Sequence, residues 1–426
     1  MKDTMIDKFT TILTQKPKNF TETFKYIVEF HIVNNGAWGG LNMKKIILMI
    51  LTLFVLILTA CAVQQQVLTG GEEKKELVGS YKIGVMYPLT GDAAAYGIPI
   101  QKTTKYAVDE INAKGGVNGR KIEVIYEDSK CNPKDGNAAA QKLINVDKVK
   151  VIIGGVCSGE TLGAAPIAND NKVVVISPSA TSPDITTKGG DFVFRLSPSD
   201  AFAGVVASNY AFNDLKAKKA AVVSEATDYS QGLRRVFKEN FVKLGGEIVA
   251  DETYNPEDTD FRTQVTKVKA ANPDVVYLVP QTKAKGVLLV KQLNEAGVKH
   301  QLLTAEVMIG RDVVKENAAD VDGMIGVEQK FDDKAPKAAP ILAKYKAEAK
   351  EEAPFPAFMS AAYDIVYLIA DAIEKNGYDG EKIRDYLYNV KDFDGAVGKV
   401  SIDQNGDVVL DFSVKQIKNG ELITLK

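Results

Sequence analysis

From Tyr81 onward, short apolar runs alternate with segments in which apolar positions recur every three or four residues. The first pattern belongs to buried strands, the second to helices with one face on a sheet. Strands are predicted at 81–87, 121–127, 149–153 and 173–177, with helices between them at about 98–114, 133–145 and 162–171. A second series follows, with strands at 219–224, 247–254, 274–279 and 301–304 separated by helices near 232–244, 261–271 and 284–296. Such alternation forces right-handed crossovers and parallel sheets, so the fold class is α/β with two sheets of similar plan. The tail departs from it: helices at about 336–349, 357–374 and 381–389 precede two strands, 397–402 and 408–416, joined by the turn Asp403-Gln404-Asn405-Gly406-Asp407. Two α/β lobes of this kind close around a ligand at the C-terminal ends of their strands.

The pattern ahead of Tyr81 is different. Met43-Lys44-Lys45 opens an apolar run from Ile46 to Leu58 that ends in Leu58-Thr59-Ala60-Cys61. A basic start, about a dozen apolar residues and small residues before a cleavage point make a secretory signal at 43–60. Leu58-Thr59-Ala60-Cys61 resembles a lipobox, whose cysteine becomes the lipidated first residue of the mature protein. A spanning anchor fits less well, because such a run at ~1.5 Å per residue covers about 20 Å of a ~30 Å hydrocarbon core. Residues 61–80, polar and without hydrophobic period, read as a flexible tether from a lipid anchor at Cys61. Residues 1–42 would bury the signal's basic start inside the chain, so the expected translation start is Met43. Gly39-Gly40 encoded as GGA-GGT would form a ribosome-binding site, and other glycine codons there would remove the argument. The alternative is a genuine amphipathic extension.

Composition narrows the partners. Among 426 residues, 45% are hydrophobic and 25% charged, the make-up of a globular protein, and the net charge of -2 gives no pull toward nucleic acid. Three cysteines and two histidines are too few for an ordinary Cys/His zinc cluster, and neither metal nor cofactor is expected.

Four places carry candidate chemistry. The strand 149–153 runs through Gly154-Gly155-Val156-Cys157-Ser158-Gly159 into a helix, where free N–H groups and the Ser158 hydroxyl suit a carboxylate; plain N-capping is the bland alternative. The same stretch fits a nucleophile elbow with a central cysteine, which admits a thiol hydrolase using Cys157. Its base would have to be His300, which has no orienting motif beside it. In an oxidising compartment Cys131 and Cys157, at the ends of consecutive strands, are expected to pair instead. Next, Ser177-Pro178-Ser179-Ala180-Thr181-Ser182-Pro183-Asp184 presents four hydroxyls on a proline-stiffened loop and can offer donors to an anion; as an isolated motif it is an ordinary surface turn. Tyr96 and Tyr229, on glycine-bearing loops after strands, suit an apolar side chain, or simple packing. Glu306, after the strand 301–304, could pair a ligand ammonium, or be merely solvated.

At these residues the sequence resembles the leucine/isoleucine/valine-binding proteins of branched-chain amino-acid ABC importers, members of the type I periplasmic binding fold, in lipoprotein form. The resemblance spans about 81–426. It rests on Ile83-Gly84-Val85 with Pro88-Leu89-Thr90-Gly91, then Ala107-Val108-Asp109-Glu110-Ile111-Asn112-Ala113-Lys114-Gly115-Gly116-Val117-Asn118-Gly119, Glu127-Asp128, Cys131-Asn132-Pro133, Gly154 to Ser158 and Ser177 to Asp184. It implies a disulfide between Cys131 and Cys157, and carboxylate contacts at Ser158, Thr181 and the Ser179–Ala180 backbone. It further implies an ammonium partner at Glu306 and aromatic contacts at Tyr96 and Tyr229. Where family members often carry another aromatic, this chain has Gln281 as the approximate equivalent, and a polar amide there weakens the expectation of a purely aliphatic ligand side chain. The resemblance also implies exchanged segments: one lobe from 81–197 plus 327–394, the other from 198–326 plus 395–426, with three crossings as hinge. The expected protein is a monomeric, extracytoplasmic, membrane-anchored amino-acid binder serving ABC permease subunits. A binder of amides, urea or small aromatic acids is the rival within the fold, and a ligand-sensing domain a further reading.

Overall fold

The computed structural model describes residues 79–426. The segment 1–42, the signal at 43–60, the lipidation at Cys61 and the tether as far as residue 78 lie outside the described residues.

The first lobe is built on β1 (Tyr81–Tyr87), β2 (Ile122–Asp128), β3 (Val151–Gly154), β4 (Val174–Ser177) and β5 (Val193–Arg195). They form one parallel sheet in the order β2-β1-β3-β4-β5. Every residue of β3 and β4 is buried, as a parallel sheet covered on both faces requires. Alternate residues serve the two faces. Ile83, Val85, Val151 and Ile153 pack with the helices Ala94–Ala113 and Pro356–Asn376, while Met86, Ile152 and Val175 pack with Pro133–Asn145 and Ser158–Asp170.

The second lobe repeats the plan with β6 (Lys219–Glu225), β7 (Glu247–Tyr254), β8 (Val275–Val279), β9 (Gln301–Ala305) and β10 (Ile325–Gln329). After these come a short hairpin, β11 (Phe393–Gly395) with β12 (Gly398–Val400), and then β13 (Phe412–Lys418) and β14 (Glu421–Thr424). The second sheet runs β14-β13-β10-β9-β8-β6-β7, with β13 and β14 antiparallel at one edge.

Two expected lobe boundaries move. The crossing set at 326/327 would cut β10, whose Val327 pairs with both Ala305 and Val414, so the chain leaves the second lobe only after Gln329. The return set at 394/395 also comes later, because Val397, Val400, Ile402 and Val408 pack in the first lobe's core and the second sheet resumes at Phe412. At the first crossing, Leu196 belongs to the first core, and the helix Asp200–Asn209 puts Ala203 and Ala207 in the second. The hairpin expected between 397–402 and 408–416 shrinks to one bridge, Ile402 to Val408, since β12 turns back onto β11 instead. The strands β5, β10 and β14 were not among the predicted ones; each is only three to five residues long.

Candidate functional site

Ligands of open parallel sheets bind beyond the C-terminal strand ends, where the strand order reverses. The first sheet reverses between β1 and β3, the second between β6 and β8. Tyr96 and Ser158 follow β1 and β3, and Tyr229 and Gln281 follow β6 and β8. These four, with Ser179, Glu306 and Phe358, line one narrow cavity of about 30 Å³ between the lobes. Tyr96 and Tyr229 sit in first helical turns, not in loops, because their helices start at Ala94 and Asp228.

The first lobe's wall is a set of neutral donors locked by their own hydrogen bonds. The Ser158 hydroxyl accepts from Ser182 N–H at 3.1 Å, which leaves its proton to donate. Ser177 Oγ accepts from the N–H groups of Ser179 and Ala180 at 3.2 and 2.8 Å, and Ser179 Oγ donates to the Val156 carbonyl at 2.9 Å. Beneath the loop Arg195, fully buried, donates to the Ser182 carbonyl at 2.9 Å and forks onto Asp407 at 2.7 and 2.9 Å.

Two expectations change here. The N–H groups of Val156 and Cys157, expected to be free for a ligand, donate to Glu160 Oε1, while Glu160 Oε2 accepts from Ser129 and Cys131. The expected Ser179–Ala180 backbone contact also fails: both N–H groups donate to Ser177 Oγ, and Ala180 is buried outside the cavity lining. Burial pushes the Glu160 carboxyl up to about 7 in spite of these donors. Cys131 and Cys157 are bonded, with Cα atoms 5.2 Å apart, and fasten the exits of β2 and β3 together. A bonded sulfur is no nucleophile, so the thiol-hydrolase reading loses its attacking group.

The second lobe's wall is acidic. Glu306 begins a short 3₁₀ turn after β9 and accepts from the Tyr229 hydroxyl at 2.9 Å. Burial pushes its carboxyl up to about 7, with Glu328 adding to the rise. Asp200, at the first crossing, is only 1% exposed, and burial followed by the nearby Glu306 holds its carboxyl well above the usual carboxylate range. Its N–H donates to the Thr181 carbonyl at 2.8 Å. Thr181 does not line the void; its buried hydroxyl lies beside the Asp200 carboxyl and counters part of that carboxyl's rise, although neither Thr181 Oγ1 nor Asp200 Oδ2 makes a hydrogen bond of good geometry. Gln281 is held by N–H donation to the buried Glu225 at 2.8 Å, and its carbonyl meets the Tyr96 hydroxyl at 3.4 Å.

Sequence reasoning missed Asp200 and Phe358. Ser199-Asp200 reads as an ordinary helix start, and Ser199 does cap by accepting from Ala201 N–H at 3.2 Å. The available signal was an acid at a lobe crossing. For Phe358 it was the aromatic and proline run Pro354-Phe355-Pro356-Ala357-Phe358.

The lobes meet at the rim. Ser182 Oγ donates to the Asp228 carbonyl at 3.1 Å, and Arg235 pairs with Asp184 at 2.6 Å. A Cβ on Gly159 would lie 2.9 Å from Asp228 Oδ2, and one on Gly232 would lie 2.9 Å from Ser182 Oγ, so the approach requires glycine on both sides. Chemically the enclosed arrangement suits a zwitterion: the Ser158 hydroxyl for a carboxylate, Glu306 for an ammonium, and Tyr96, Phe358, Val156 and Val307 for an apolar side chain.

Comparison with known proteins agrees with this geometry. Residues 80–421 match the periplasmic binding protein family. The chain is 31% identical to a Leu/Ile/Val-binding protein homolog of Brucella melitensis, over 81% of this chain and 93% of that one. It is 33% identical to a leucine-, isoleucine-, valine-, threonine- and alanine-binding protein of Pseudomonas aeruginosa, over 78% and 88%. Among solved structures, the branched-chain amino acid transporter substrate-binding protein LivJ of Streptococcus pneumoniae, in complex with isoleucine, is 32% identical. It superposes with a TM-score of 0.72 over 82% of this chain and all of that one. A solute-binding protein from Rhodopseudomonas palustris in complex with 3,4-dihydroxybenzoic acid is 26% identical, with a TM-score of 0.72 over 81% and 96%. A doubly lobed α/β chain with its candidate site at two switch points, matched over nearly all its described length, belongs to the periplasmic binding protein family.

Proposed function

We propose that this chain captures an amino acid, branched-chain or similar, between its lobes and delivers it to the permease of an ABC importer. The observation that carries the reading is the opposition across one cavity of the Ser158 hydroxyl, whose proton is free to donate, and the Glu306 carboxyl. The ligand carboxylate takes the Ser158 and Thr181 hydroxyls, and its ammonium takes Glu306 with Asp200 beside it. The side chain lies against Tyr96, Tyr229, Phe358 and Gln281. The binding role of the relatives, as their names give it, supports the same reading. The protein works as a monomer outside the cytoplasm, held to the membrane through a lipid on Cys61 after removal of the signal at 43–60, and it catalyses no reaction.

A thermal-shift panel over amino acids, amides and small aromatic acids tests this. A ligand at 100 times its dissociation constant adds ~2.7 kcal/mol to stability. Leucine, isoleucine or valine should raise the melting temperature of the wild type and not of Glu306→Ala. An aromatic acid that stabilises both proteins, with silence from every amino acid, would replace the amino-acid reading with the one suggested by the Rhodopseudomonas palustris neighbour.

A further inference from the structure

The ligand cleft adjoins a larger space. A second cavity of about 400 Å³ shares Glu306 and Phe358 with the first. Phe331, Phe355 and Phe358 give it aromatic walls, the last two rings stacked 6.4 Å apart at 25°. Gln329, the final residue of β10, also lines it. The residue is only 8% exposed, yet neither the oxygen nor the nitrogen of its carboxamide has a hydrogen-bond partner. A buried amide unmatched at both ends costs stability that an apolar residue of the same size would not, so its presence among aromatic rings points to a missing partner.

The surroundings say which partner. Arg311 is paired with Asp333 and Glu328 with Lys415, so those charges cancel. The other acids in the lining, Glu306 and Glu421, disfavour an anion. A carboxamide presents one donor and one acceptor, and a group with the same pair on one edge answers both at once: another carboxamide, a lactam or a cyclic urea. A carboxylate has only acceptors and would set one oxygen against the Gln329 carbonyl oxygen. We propose that this chamber is a second ligand site, for a flat, neutral molecule whose amide edge pairs with Gln329 while its ring lies against Phe331 and Phe355.

Benzamide is the probe, and benzoate its charged counterpart. Calorimetric titration of the purified chain should show benzamide binding with and without saturating L-leucine, and no benzoate binding once leucine is present. Gln329→Leu should weaken benzamide roughly tenfold while leaving the response to leucine intact. Gln329→Met, also close in volume, guards against a variant that folds poorly. Three results overturn the proposal: no benzamide binding to the wild type, competition between benzamide and leucine, or affinity unchanged in both Gln329 variants. A wild type that ignores leucine sinks the amino-acid reading alone. The chamber is then read from benzamide binding that is lost in the Gln329 variants and kept in Ser158→Ala.

Discussion

The two walls of the cleft solve opposite electrostatic problems in different ways. On the first lobe every polar group facing the cavity is neutral and held from behind: Ser158 by Ser182, Ser179 by Ser177 and the Val156 carbonyl, the whole loop by Arg195. On the second lobe the acids are carboxyls raised by burial, and Glu306 changes its protonation near pH 7. One wall is therefore preorganised and indifferent to pH, the other responsive, which places control of binding on the ammonium end of the ligand.

The strongest way to break this contrast is to unlock the first wall. Replacing both Cys131 and Cys157 by serine opens a loop with a sequence separation of 26. It should cost roughly 3 to 4 kcal/mol in the loop-entropy account, read by urea denaturation. A variant as stable as the wild type would show that Glu160 alone holds the loop. On the opposite wall, Glu306→Gln keeps the shape and removes the charge; amino-acid affinity should fall by about 2 to 3 kcal/mol, some 30- to 150-fold, by calorimetry. An unchanged dissociation constant would move the ammonium to Asp200.

Acidity sharpens the difference. Glu306 must be ionised to pair an ammonium, so affinity should fall as pH drops through about 7, by up to about tenfold per unit. The empty protein behaves in the opposite sense. Because the folded carboxyl sits above its unfolded value, its contribution is fully present below the unfolded pKa and is lost as pH rises through about 7. Melting curves and titrations over roughly pH 5 to 8 check both signs, and a flat affinity profile would contradict the assignment of Glu306.

Thr181→Val should weaken amino-acid binding by about 1 kcal/mol, roughly fivefold. It should change the stability of the empty protein by less than about 1 kcal/mol, since the hydroxyl it removes makes no hydrogen bond of good geometry to the Asp200 carboxyl beside it. Tyr96→Phe is the mildest change. Its hydroxyl makes only a 3.4 Å contact with Gln281, so affinity should shift by less than about 0.5 kcal/mol and the ring contact with Phe355 should persist.

Much of this was legible in the chain. The strands β1, β3, β4, β6 and β8 announce themselves because parallel strands covered on both faces read as nearly continuous apolar runs, whereas the edge strands β2 and β7 mix apolar residues with acids. From their order, the residues after β1, β3, β6 and β8 follow as neighbours. What escaped depends on long-range pairing. β10, with its internal Gly326, is a strand only because β9 and β13 flank it, and the crossing misplaced at 326/327 follows from that. Ala180 looked like part of the donor loop, and only the inward turn of its N–H onto Ser177 excludes it. Asp200 gains its meaning from Thr181 and Glu306, which lie beside it in the fold but are distant along the chain and invisible in its local sequence.

The reach of Arg195 has a consequence for biosynthesis. Its carboxylate partner, Asp407, lies 212 residues further along, close to the end of the chain. A growing polypeptide thus completes both sheets' parallel strands before the donor loop acquires its final support. A product clipped just short of Asp407 would keep most of its secondary structure and still lack a firm grip on cargo, so export of an unfinished copy yields an inert one.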